Sequence, residues 1–229
     1  MWTAHGFVES KGNMEVEIMA REYFENLVTR FFFQKDIWGY KMHDIVHDYA
    51  QSITKNECFK IRSNIESESD YNNARHLRLE IPKESQFSMS IDSAKNLRAL
   101  IIFNQVGYEI PNLQNFRLLR VLTLINTMEL PHTVENLKHL RYLNLIGGIE
   151  VLSETICNLC NLQYLKITKD FGSVSTKLPQ GIGKLINLRH LIGEDFLIPR
   201  GIGRLISLRT LKCVSITDED CEGCKLGEL

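Results

Sequence analysis

Several clusters of residues in this chain have the types and spacing that chemistry uses. His43-Asp44-Ile45-Val46-His47 places two histidines four positions apart, the spacing that sets two imidazoles on one helical face as in zinc metallohydrolases. That arrangement would serve metal-assisted hydrolysis. Asp stands where such motifs carry Glu, however, its shorter side chain is poorly placed as a general base, and no third ligand follows on the same unit. Cys157-x-x-Cys160 and Cys221-x-x-Cys224 each have zinc-knuckle spacing, but Cys221 lies 61 positions after Cys160, so the expectation is buried or tolerated thiols. Gly181-Ile182-Gly183-Lys184 looks like part of a phosphate loop. A true loop needs a glycine five positions before its Gly-Lys and Ser or Thr after it, where this chain has Leu178 and Leu185. No activated Ser or Cys nucleophile stands out. The expectation is a protein that is not an enzyme, without a metal and without a cofactor bound by this chain alone.

The elements that carry these residues are set by a repeat. From residue 74 a Leu-x-x-Leu-x-Leu strand recurs about every 22 residues: Ala74-Leu77-Leu79, Leu97-Leu100-Ile102, Leu119-Leu122-Leu124, Leu140-Leu143-Leu145, Leu162-Leu165-Ile167, then Leu188-Leu191 and Leu208-Leu211. A fixed period of this length marks an α/β leucine-rich repeat solenoid, a curved parallel sheet. The return segments keep one register, Leu130-Pro131 with Val134, Leu137 and Leu140, then Leu152, Leu178 and Ile198 with the same offsets of 4, 7 and 10. Length variation therefore falls between the strand end and the return, with Thr168 to Thr176 the longest such loop. The position 9 asparagine is replaced by Gln105, Thr127, Gly148 and Asp170, which predicts irregular turns.

With positions 1, 4 and 6 inward, positions 2, 3 and 5 face the concave side or its rim. Position 2 is Arg75, Arg98, Arg120, Arg141, Gln163, Arg189 and Arg209, nearly a column of arginine. Position 3 includes His76, Tyr142, Tyr164 and His190, and position 5 includes Arg78, Asn144, Lys166 and Lys212. Such a column either packs its stems along the solenoid or offers a basic, aromatic face to an acidic protein partner.

Residues 1–56 do not follow the repeat. Val16, Met19, Tyr23, Leu27, Val28 and Phe31 predict an amphipathic helix over 15–34. Phe31-Phe32-Phe33 then pairs with 40–42 across a turn from Gln34 to Gly39. Met42, Ile45, Val46, Tyr49, Ala50 and Ile53 form the apolar stripe of a second helix, opposite His43, Asp44, His47 and Asp48. This unit is too small to bury a stable core alone and is expected to dock on the solenoid or on another body. Residues 57–73 read as a polar linker, and 74–229 as about seven repeats of an incomplete array.

A net charge of −1 gives no pull toward nucleic acid, and no dense basic recognition helix is present in 1–56. No apolar run is long enough to span a bilayer. The start has no secretory pattern, no asparagine sits in Asn-x-Ser/Thr, and the six cysteines lack disulfide-scaffold density. A reducing, cytoplasmic or nuclear location is expected.

The segments Glu22 to Gln34 and Tyr40 to Gln51, with Trp2-x-Ala4-x-Gly6-Phe7 before them, resemble the end of the winged-helix domain of plant NLR immune receptors. Met42-His43-Asp44 matches that family's Met-His-Asp motif. Ala74-Arg75-His76-Leu77, Leu178 to Leu191 and Leu205 to Leu211 resemble the first repeats of its coiled-coil-type subgroup. The resemblance implies a receptor that recognises pathogen effectors and switches between ADP- and ATP-bound states. Met42, His43 and Asp44 would sense nucleotide state only beside a nucleotide-binding domain, whose phosphate motifs this chain lacks. Implied partners are such a domain in the parent or another receptor, a pathogen effector, or a guarded host protein. A fragment or truncated, non-functional paralogue, and a generic repeat adaptor such as a ubiquitin-ligase substrate receptor, are the competing readings.

Overall fold

The computed structural model describes residues 1–9, 14–37, 39–61, 71–80, 90–104, 110, 112–169 and 175–212. The N-terminal part comprises α1 (Trp2–His5), α2 (Val16–Thr29), the hairpin β1 (Phe33–Asp36) and β2 (Gly39–Met42), and α3 (Asp44–Thr54). The rest is a parallel sheet with one strand per repeat: β3 (Cys58–Ile61), β4 (His76–Glu80), β5 (Ala99–Phe103), β6 (Val121–Ile125), β7 (Tyr142–Ile146), β8 (Tyr164–Thr168), β10 (His190–Gly193) and β12 (Thr210–Lys212). A small second sheet pairs β9 (Thr176–Lys177) with β11 (Phe196–Leu197) behind the repeats.

The repeat leucines account for the solenoid. Leu100, Leu122, Leu143, Leu165 and Leu191 are fully buried and lie in direct register along the sheet. Each contributes roughly 1.5–3 kcal/mol by leaving water. The returns are 3-10 turns, His132–Asn136, Glu154–Asn158, Gln180–Lys184 and Ile202–Arg204. Their apolar offsets of 4, 7 and 10 step by three, the period of a 3-10 helix and not of an α-helix. Pro131 and Pro179 precede two of these turns with extended backbone; where Ser153 replaces proline, its Oγ accepts from Thr155 N at 3.3 Å and caps the turn. Asparagines just before the strand leucines tie neighbouring repeats: Asn96, Asn161 and Asn187 donate to the carbonyls of Asn72, Lys138 and Cys160 at 2.8–2.9 Å.

Three expectations are corrected. Cys58–Ile61, placed in the linker 57–73, is the first strand of the solenoid, and Tyr71 is buried in its core; 62–70 lie outside the described residues. The first helix stops at Thr29 because Phe31 turns left-handed, φ 61°, and Phe32 N bonds back to Leu27 O. The apolar stripe of α3 does not find a core: Ile45, Tyr49 and Ile53 are 75%, 66% and 65% exposed, and the helix buries no residue. The small N-terminal unit is held by a ring cluster, Trp2, Phe24, Phe33 and Tyr40, and by the sheet it leans on.

The hairpin forms, but its first strand is shifted: Phe33 pairs with Met42, and Gln34, Lys35 and Asp36, expected in the turn, pair with Lys41, Tyr40 and Gly39, while Phe31 and Phe32 stand before the strand. Of the predicted irregular turns, Asn126 is left-handed (φ 59°) and Thr127 is buried, its Oγ1 donating to Glu129 O at 2.7 Å. Gly147 has φ 146°, and a Cβ there would lie 2.3 Å from Thr127 O, so only glycine fits. In the loop Thr168 to Thr176, residues 170–174 lie outside the described residues, as do 213–229 with Cys221 and Cys224.

Candidate interaction face

Alternation along each strand sends odd repeat positions outward. Register then stacks them into rows. Position 3 runs His76, Ala99, Val121, Tyr142, Tyr164, His190, Thr210, and position 5 runs Arg78, Ile101, Thr123, Asn144, Lys166, Ile192, Lys212. The arginine column is a backbone ladder at the rim. Arg98 N donates to Arg75 O, Arg120 N to Arg98 O, Arg141 N to Arg120 O, Gln163 N to Arg141 O, Arg189 N to Gln163 O, and Arg209 N to Arg189 O, at 2.8–2.9 Å. Strand spacing thus holds like charges about 5 Å apart at their backbones, an arrangement that favours counter-charges.

The chain supplies some of these counter-charges itself. Glu17, at the start of α2, accepts from Arg189 Nη1 at 2.6 Å and from Arg209 Nη1 at 3.2 Å, and lies 3.8 Å from His190 Nε2. Glu15 pairs with Arg209. Arg120 Nη1 donates to His5 O at 2.7 Å, and Ala4 packs on Ala99, Val121 and Tyr142. Gly6, at φ 78°, ends α1 where a Cβ would sit 3.2 Å from Arg120 Nη1. The N-terminal segment therefore lies across the rim and the position 3 row from β4 to β12. The expected docking of 1–56 on the solenoid is observed, and the residues that make it, Ala4, His5, Glu15 and Glu17, were not singled out as a contact from sequence. The only sequence signal for the acidic pair is its place at a helix start.

Burial pushes the Glu17 carboxyl up, but the Arg189 hydrogen bond and the charges of Arg189 and Arg209 outweigh it and leave its pKa below the ordinary value. His5 is held down to about 4, first by burial, then by His76, the N-terminus and Arg120. It stacks on Phe7 at 4.9 Å and tilts against His76 at 5.4 Å. Burial also lowers His76 and His190. Tyr142 stacks on Tyr164 at 4.7 Å, and burial with that neighbour raises it to about 12, so its hydroxyl stays a donor.

The remaining predicted residues divide as follows. Arg75 pairs with Glu57 at 3.5 Å, and Arg78 with Glu80 at 2.9 Å while covering the Phe103 ring at 4.2 Å. Among the described residues, Arg98, Arg141, Lys166 and Lys212 make no ion pair. Asn144 Oδ1 is buried with no hydrogen-bond partner, between Thr123 and Lys166.

Met42-His43-Asp44 forms the corner from β2 to α3, with His43 and Asp44 exposed. His43 stands at the N-cap of α3 with extended backbone, its carbonyl accepting from His47 N at 2.8 Å, and both ring nitrogens of His47 are engaged, by Asp48 at 3.5 Å and Gln51 at 3.3 Å. No three metal-ligand side chains converge among the described residues. Cys157 is buried and raised to about 12, by burial and then Glu154, which makes it a poor zinc ligand. Gly181-Ile182-Gly183-Lys184 is a 3-10 return with Ile182 fully buried, and Glu154 accepts from Gly181 N at 3.2 Å, so an acid occupies the place a phosphate would take. These residues do not fit a nucleotide phosphate.

Residues 96–229 match the leucine-rich repeat region family, and residues 1–50 match the disease resistance protein winged helix domain. Disease resistance protein RGA2 of Solanum bulbocastanum is 37% identical over 147 residues, covering 61% of this chain and 13% of that protein. Disease resistance protein RPM1 of Arabidopsis thaliana is 31% identical over 140 residues, covering 54% of this chain and 14% of that protein. The chain thus spans about one-seventh of the length of the curated relatives it matches. Internalin C2 of Listeria monocytogenes is 18% identical, with a TM-score of 0.42 over 62% of each chain. No helix among the described residues is long and apolar enough to cross a membrane. With a disease-resistance winged-helix end joined directly to its repeats, the chain belongs to the leucine-rich repeat family and is of the plant NLR disease-resistance type.

Proposed function

We propose that this chain is the sensing end of a cytoplasmic or nuclear plant immune receptor, a non-catalytic interaction module that couples partner recognition to the state of a nucleotide-binding domain. The observation that carries this reading is the polar latch between the winged-helix end and the arginine rim, Glu17 on Arg189 and Arg209 with His5 O on Arg120. A contact made of ion pairs over a small apolar seat is one that a charged partner can exchange for its own. Arg98, Arg141, Lys166 and Lys212 are the cations left for an acidic surface, whether of a nucleotide-binding domain, a pathogen effector or a guarded host protein. The exposed His43 and Asp44 corner and the bare α3 stripe face whatever completes the winged-helix side, where ADP or ATP would be read.

The test is association with the nucleotide-binding region of a disease-resistance relative, produced separately. Binding should weaken as salt is raised and should fall again with charge reversal at Arg141 and Lys166. Salt-independent binding, or binding untouched by both reversals, would overturn the assignment of this face; no binding to that region would remove the autoinhibitory part.

A further inference from the structure

The first three rungs of the rim ladder enclose a polar pocket of about 330 Å³ that the N-terminal latch does not enter. Its walls come from successive units, Asn56 and Glu57, Asn73 and Arg75, Asn96 and Arg98, with Leu118 beside them. The backbone hydrogen bonds from Arg75 N to Glu57 O (2.9 Å) and from Arg98 N to Arg75 O (2.8 Å) fix these side chains one above another. Two guanidiniums and one carboxylate line it. Glu57 lies 3.5 Å from Arg75, at the long end for an ion pair, while Arg98 has no acid within ion-pairing distance among the described residues. The pocket is therefore one positive charge in excess. His76 beside it is lowered first by burial; Glu57 opposes that shift, and Arg75 and Arg98 add to it.

We infer that this rim pocket is a binding site for a single carboxylate, gripped by Arg98 and Arg75. A guanidinium presents two parallel N–H groups to a carboxylate, and a pocket lined by amides supplies further donors with little competing apolar surface. One net positive charge matches one carboxylate and not a phosphate dianion. The volume admits an acidic side chain, a peptide C-terminus or a small organic acid. This site is separate from the latch at Arg120, Arg189 and Arg209, and it does not rest on the receptor reading above.

The test is titration of the full chain with acetate, with an acetylated glutamyl peptide and with its glutaminyl counterpart, at constant ionic strength, following the Nε–H resonances of Arg75 and Arg98 by NMR. Both carboxylates should shift Arg98 with saturation, and the glutaminyl peptide should not. Arg98→Gln should weaken binding about tenfold or more, as loss of a charged hydrogen bond predicts. Glu57→Gln should strengthen it several-fold by removing the resident competitor, an effect that mere loss of structure would not produce. Saturation by the peptide but not by acetate assigns a protein source for the carboxylate; saturation by both at similar affinity assigns a free acid as sufficient. An Arg98 resonance that does not move, that moves equally with chloride, or that is indifferent to Glu57→Gln overturns the inference.

Discussion

Glu17→Gln is the perturbation that most directly probes how the N-terminal segment is held. In the native chain the Glu17 carboxylate receives Arg189 at 2.6 Å and Arg209 at 3.2 Å, and its side chain is 26% exposed. Hydrogen bonds to charged groups contribute about 1.5–3 kcal/mol each when buried, and the partial exposure of both arginines reduces this, so loss of the carboxylate should cost about 2 kcal/mol. That is roughly a 30-fold rise in the undocked population. Hydrogen exchange of amides in residues 1–9 and 16–29 should accelerate accordingly, while β7 and β8 keep their protection. A cycle with Arg189→Gln should return a coupling of about 1–2 kcal/mol, because the two changes remove the same contact. Raising salt should mimic the substitution in the native chain and do little in the variant. Unchanged exchange in Glu17→Gln, or additive single changes, would refute the idea that this carboxylate holds the segment down.

Acid should loosen the same contact in two stages. His5, held down to about 4, is neutral when docked and takes up a proton when released, so stability of the docked state falls as pH drops from 6.5 toward 4; Glu17, held below its ordinary 4.5, adds a further loss as pH falls through its lowered value. A pH series of exchange rates reads both, and His5→Gln should remove the first stage. Gly147→Ala should destabilise the repeats by about 2–4 kcal/mol in urea unfolding, since it combines a forbidden backbone angle with a Cβ 2.3 Å from Thr127 O. Phe31→Gly should stabilise the docked N-terminal unit by about 1 kcal/mol, since a 79% exposed phenylalanine loses little contact and glycine relieves its left-handed φ. Cys157, raised to about 12, should resist iodoacetamide at neutral pH in the folded chain while the exposed Cys160 is alkylated, as peptide mass spectrometry would show.

The solenoid was legible because its signal is one-dimensional. Leucines 22 residues apart must stack, and alternation then dictates that Tyr142 and Lys166 point away from the core. The 3-10 returns were also written in the spacing of Val134, Leu137 and Leu140. Strand Cys58–Ile61 was missed because it stands before the first clear anchor and carries Cys58 and Lys60 on its outer face. The α3 stripe was read correctly as apolar, but periodicity reports only which side of a helix is apolar; it does not report whether anything covers that side.

By itself, the sequence determined the repeat, the inward leucines, the ladder of arginines and the kinship of the Met42-His43-Asp44 corner, all of which depend on local order and fixed period. The tertiary structure alone decided where that ladder finds its counter-charges. Glu17 and Arg189 are 172 residues apart, and no local rule relates them. Their meeting follows from the rise of the solenoid and the length of the segment laid across it. The same rise leaves Arg98 without an ion pair among the described residues, while Arg120, one rung away, is taken by a backbone carbonyl.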